Sequence, residues 1–133
     1  MRKVLWMVVV AMLFCVPVFA VNLDGNEFWS YVIENTTGAY QNTLIPITSV
    51  VPGSDRILGY EHMPLPGQSA ENVVAVFDTV NYTTFASAEV LGESECQDGS
   101  WDGMWFPYPR TISYGVTVRQ GAGTRVIVYF VRG

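Results

Sequence analysis

The chain has 133 residues, half of them apolar, with twelve acids against seven bases and a formal net charge of −5. An acidic chain without a basic run has nothing to displace counterions from phosphates, which argues against nucleic-acid binding. It is also repelled by an anionic membrane surface.

The N-terminus carries Arg2 and Lys3, then thirteen apolar residues from Val4 to Val16, then Pro17-Val18-Phe19-Ala20. A positive start, an apolar run and small residues three and one before a cut are the layout of a secretory signal. The expected organisation is therefore a leader over residues 1–20 and a single β-sandwich domain over 21–133, secreted to an extracellular or periplasmic compartment. An anchor is the first alternative. Its apolar run falls short of the roughly 20 residues that span a bilayer, and no basic cluster follows it. No stable membrane insertion is expected once the leader is removed. Lipidation at Cys15 is the second alternative, disfavoured by the bulky Phe14 before it.

Past Ala20 the chain keeps all twelve acids and five bases, every one of them Arg, for a charge of −7. Eight acids and no base lie between Ile57 and Pro109; four Arg and no acid follow from Arg110. Opposite charges then pair across the fold or, alternatively, give the molecule an acidic and a basic end suited to head-to-tail association. Val21–Glu27 is a polar lead-in, a loose terminus or a segment able to join a neighbour's sheet edge.

No helical periodicity survives a dozen residues, whereas strand signals recur closely. Phe28–Glu34 reads as the first strand, ended by Asn35-Thr36-Thr37-Gly38. Thr43–Val51 is the second, and Pro46 inside it assigns it to an edge or a bulge. Pro52-Gly53-Ser54-Asp55 is a turn. Arg56–Glu61 precedes a loop over Met63-Pro64-Leu65-Pro66-Gly67, with His62 expected to be solvated. Asn72–Val80 and Thr83–Leu91 read as a hairpin around Asn81-Tyr82, and Gly103–Tyr108 as a short strand. Thr111–Arg119 and Thr124–Arg132 read as the clearest hairpin, closed by Gln120-Gly121-Ala122-Gly123. Val73–Phe77 and Val126–Val131 are apolar on both faces, so both strands belong in sheet interiors. The expected fold is all-β: an antiparallel β-sandwich of about 7–8 short strands, immunoglobulin-like or jelly-roll-like.

The chemistry is sparse. His62 is the single His, which excludes His-based metal triads. A Ser-His-Asp site has no Gly-x-Ser-x-Gly elbow to support it. Walker and dinucleotide motifs are missing. Glu93 and Glu95 share one side of an extended segment, without a predicted cleft to make them a glycosidase pair. Cys96 is left without a partner once the leader is gone, which points to a free thiol, buried or exposed, or an intermolecular disulfide. Surrounding carboxylates raise its pKa and argue against a catalytic thiolate. Asn35-Thr36-Thr37 and Asn81-Tyr82-Thr83 have the form of glycan acceptors.

Residues 93–109 stand out. Asp98, Ser100 and Asp102 alternate before Gly103, as in the first half of a calcium loop, but Pro109 holds the place of the closing Glu. The bland alternative is a solvated turn. Trp101, Trp105, Phe106 and Tyr108 follow. Alternation sends Met104 and Phe106 to one side and Trp105 and Pro107 to the other. Either these rings fill a core or they form an exposed surface for a partner or a sugar; Trp101 is expected to be the more exposed Trp and Trp105 the more packed. The reading that results is a non-catalytic protein that binds or assembles through sheet edges and an aromatic loop, with self-association or a protein partner expected. The alternatives are a carbohydrate-binding module, with or without calcium, and a small hydrolase or enzyme inhibitor. No cofactor other than that calcium is expected.

Overall fold

The computed structural model describes residues 27–67, 72–85, 89–96 and 101–133. The expected leader and its cut after Ala20 lie outside them. Eight strands form: β1 Glu27–Asn35, β2 Gln41–Leu44, β3 Asp55–Pro64, β4 Asn72–Asp78, β5 Val90–Cys96, β6 Asp102–Thr111, β7 Val116–Gln120 and β8 Thr124–Arg132. They make two antiparallel four-stranded sheets, ordered β1-β8-β3-β6 (sheet A) and β2-β7-β4-β5 (sheet B).

The pairings β1 with β8, β2 with β7, β3 with β6 and β4 with β5 nest inside one another. The chain is thus one long hairpin with its tip between β4 and β5. Rolling it up brings β3 against β8 and β4 against β7. This is the eight-stranded jelly roll, and it excludes the immunoglobulin-like alternative. β8 and β4 each sit between two neighbours, as their two apolar faces require.

One expectation fails outright. Thr111–Arg119 and Thr124–Arg132 do not form a hairpin, because β7 and β8 belong to opposite sheets. The residues between them make a corner, and buried polar groups hold it. Asn35 Nδ2 donates to the carbonyls of Ala39, Gln120 and Gly121, and Gln120 Nε2 donates to Thr124 O at 3.0 Å. Gly123 turns the chain with φ 67°. A Gly-rich link between two apolar strands signals a turn but does not say whether the strands leave it in one sheet or two.

Other boundaries shift for local reasons. β2 is an edge strand as expected, but it stops at Leu44. Pro46 then opens a turn, its carbonyl accepting the N–H groups of Ser49 and Val50. β3 continues to Pro64, so His62 is a fully buried strand residue rather than a loop residue. β5 starts at Val90, and Thr83–Phe85 belong to the connection instead. β7 starts only at Val116, because the Asp78 carboxylate collects the N–H groups of Ser113, Tyr114 and Gly115 into a bend.

The core lies between the sheets. Ile33, Ile57, Val126, Val128 and Phe130 meet Val74, Val76, Val116 and Val118, all at most 5% exposed. Burying one such side chain contributes roughly 1.5–3 kcal/mol. Trp29 stacks on Phe130 at 4.3 Å and donates its indole N–H to Asp55. Burial pushes the Asp55 carboxyl up, but the Arg132 guanidinium and the Val51 and Trp29 N–H groups outweigh it, leaving the pKa below the usual value. This cluster ties together the ends of β1, β3 and β8.

Candidate functional site

Alternation along sheet A sends Phe28, Ser30 and Val32 of β1, Ile127 and Tyr129 of β8, Gly59 and Glu61 of β3 and Trp105 of β6 to the outer face. Register aligns Ser30, Tyr129, Gly59 and Trp105 in one row across all four strands. Gly59 makes that row work. A Cβ there would lie 2.4 Å from the Met104 carbonyl and 3.1 Å from the Trp105 ring. Without one, Trp105 lies across β3 and stacks on Tyr129, with centroids 4.8 Å apart. Such an aromatic covering a strand glycine compensates for the side chain that the glycine lacks. Tyr129 donates its hydroxyl to Glu61 Oε2 at 2.9 Å. Burial and the neighbouring Glu61 carboxylate push the Tyr129 pKa above its ordinary value, so the phenol stays a donor.

Trp101 and Trp105 are 65% and 55% exposed. Trp101 is the more exposed, as expected, but Trp105 is a surface residue as well, not a core one. Trp101 borders an open groove of about 560 Å³ with Glu61, Met63, Pro64, Leu65, Pro66 and Gly67. The other two aromatics predicted for contact lie elsewhere. Phe106 turns inward and packs against the core, with Arg110 over its ring at 5.1 Å. Tyr108 is 82% exposed and lines a second groove with Leu91, Met104 and Pro107, where β5 and β6 part. The four aromatics therefore divide into an outer-face pair and a seam pair.

Of the expected calcium ligands, Asp98 and Ser100 lie outside the described residues. Asp102 is exposed, and its carboxylate accepts the N–H of Gly103. Among the described residues no three His, Cys, Asp or Glu gather as a metal site. Cys96 ends β5 opposite Asn72. The two glycan motifs differ sharply. Asn35 is buried with its amide donated inside the corner, whereas Asn81 sits on an exposed turn, its Oδ1 accepting from Thr83.

Sequence reasoning missed two features. Phe28 and Val32 add to the outer face, and the alternation of Phe28–Glu34 already carried that signal. The second feature is internal: His62 Nε2 lies 2.8 Å from Ser94 Oγ, across the gap between the sheets. Tyr60 is buried close by; burial pushes its pKa up, and the Ser94 hydroxyl beside it opposes that shift. His62 Nδ1 has no partner among the described residues, although Asp102 faces it in register on β6. A working serine–histidine site needs a third group bonded to that nitrogen to orient the ring. Among the described residues that bond is missing, and His62 is closed to solvent. Burial holds the His62 pKa below its ordinary 6.5, with Asp102 opposing.

No protein-family model matches the sequence, and no curated protein does. Among solved structures, the coat protein of Tobacco streak virus is similar in fold, at 8% identity and a TM-score of 0.38, over 77% of this chain and 83% of that chain. At that level the fold rests on the strand order rather than on the neighbour.

Proposed function

We propose that this chain is an exported, non-catalytic jelly roll that works by association with protein, through the outer face of sheet A. The observation that carries the reading is the outer-face surface formed by Phe28, Val32, Tyr129 and Trp105. Phe28, Val32 and Trp105 each leave more than half of their surface in solvent. Exposed aromatics with polar neighbours such as Glu61 and Ser30 are the composition of interface anchors. Export is supported by Arg2, Lys3 and the apolar run that follows. Light scattering over a concentration series tests the association. Mass should rise with concentration for the wild type, and Trp105→Ser should shift that rise to severalfold higher concentration. A monomer at every concentration would refute self-association.

A second reading has its own observation. Trp101, beside Glu61 and a proline-lined groove, presents a ring face and a carboxylate, a combination that suits a sugar. Glycan binding that is lost in Trp101→Ala but retained in Trp105→Ser would favour it. Sensitivity of that binding to a chelator would bring calcium back.

A further inference from the structure

We infer that β1 is the edge through which two copies pair, antiparallel and in a register centred on Ser30, which extends sheet A into a continuous eight-stranded sheet. The inference rests on the association reading above and adds to the outer-face contact a second contact between copies of this chain, at the edge of the same sheet.

The four sheet edges are not alike. β2 has only four residues. β6 carries Pro107 and Pro109, which cannot donate to a new strand. β5 carries Glu93 and Glu95 on either side of Ser94, so a copy paired about that centre sets carboxylate against carboxylate. β1 has nine residues, no proline, and no charge from Phe28 to Ile33. Natural proteins protect long edges with prolines, charges or shortness. Among the described residues three edges are protected and one is open. The open edge is also rigid, because Trp29 is fixed by its stack on Phe130 and its bond to Asp55.

A two-fold interface needs a patch that complements itself. The run Phe28-Trp29-Ser30-Tyr31-Val32 has that property. About Ser30, Phe28 meets Val32 of the second copy on the outer face, and Trp29 meets Tyr31 on the other. Aromatic pairs of this kind contribute roughly 0.2–1 kcal/mol each. Face and charge select the register. Opposed residues of a two-fold antiparallel pair must lie on the same face, so the centre moves only by whole residues. Centred on Ser30, Glu27 lies opposite Ile33; centred on Tyr31, Phe28 lies opposite Glu34 of the other copy. Area sets the strength. Centred on Ser30, the seven residues from Glu27 to Ile33 pair; at about 3.4 Å each, across a sheet about 10 Å thick, they bury roughly 480 Å² in total, about a third of what a standard stable interface buries. The pairing is therefore weak and reversible alone, and gains strength where copies are already held together.

The test is a cysteine scan in the full-length sequence, expressed and purified as the host delivers it. Cross-linked residues are identified by mass spectrometry of the linked peptides. Across a two-fold at Ser30 the two positions 30 lie about 5 Å apart, within disulfide reach, whereas the two positions 32 lie about 14 Å apart, beyond it. Ser30→Cys should yield roughly tenfold more of its own 30–30 dimer than Val32→Cys yields of 32–32. A 32–32 excess overturns the register. Concentration-dependent mass in the wild type without any 30–30 dimer overturns β1 pairing and leaves the outer-face reading standing. A wild type that is monomeric throughout, with no cross-link in either variant, overturns both. Both sites are exposed, and circular dichroism confirms that the variants fold.

Discussion

The two sheets treat their outer faces differently. On sheet B the chain covers its own apolar surface. Phe85, from the β4–β5 connection, stacks on Phe77 at 4.0 Å, Thr117 donates to Thr79 O, and Asn42 donates to Tyr82 O. Phe77 is buried as a result. On sheet A, Phe28, Val32 and Trp105 remain more than half exposed. One fold thus offers an apolar face satisfied from within and one left to an outside partner. Apolar area left in water is stabilisation still available to association.

That contrast breaks or sharpens under mutation. The largest effect is expected at Phe77→Ala, which removes the ring beneath Phe85; unfolding should lose about 3 kcal/mol, with association per folded molecule unchanged. Denaturant melts and light scattering check both halves. Gly59→Ala comes next. Its methyl group meets the Met104 backbone, which cannot swing away, so about 2 kcal/mol of stability should go, together with the Trp105–Tyr129 stack. Near-ultraviolet circular dichroism reports the stack. Trp105→Ala is the counterpart of Phe77→Ala on the bare face. It should cost about 1 kcal/mol or less while weakening association severalfold. If it unfolds the domain, the outer face is structural.

The smallest effect is a pH dependence inside the sandwich. Burial depresses the His62 pKa, so the unfolded chain takes up a proton at a higher pH than the folded chain does. Stability is complete above pH 6.5 and falls as the pH drops below it, because the unfolded state then binds more protons. His62→Gln should flatten that slope in thermal melts between pH 7 and 5. An unchanged slope would assign it to other groups. Neither outcome should alter association measured at neutral pH, which separates the interior from the outer face.

The sandwich was legible in the sequence because two strands, Val73–Phe77 and Val126–Val131, are apolar on both faces, a pattern that only sheet interiors satisfy. The roll was not. Nothing local to Gln120-Gly121-Ala122-Gly123 distinguishes a hairpin from a corner between sheets; the decision is made by Asn35, some 85 residues upstream. His62 was misplaced for a related reason. The prolines at 64 and 66 read as a loop, yet the ladder to β8 continues through Pro64. At the candidate site, alternation assigned Trp105 and Phe106 to opposite sides correctly. Which side was wet depended on Gly59, whose missing side chain opens a path for Trp105 that no spacing rule reveals.

Hydrogen exchange at low and high protein concentration tests the central claim most directly, because it locates association without a mutation. Slower exchange with rising concentration is predicted for amides of Glu27–Asn35 and of Gly103–Trp105, with those of Val90–Glu95 and Thr79–Phe85 unchanged. Protection confined to β5 and the β4–β5 connection, or no concentration dependence anywhere, would contradict an interface on sheet A.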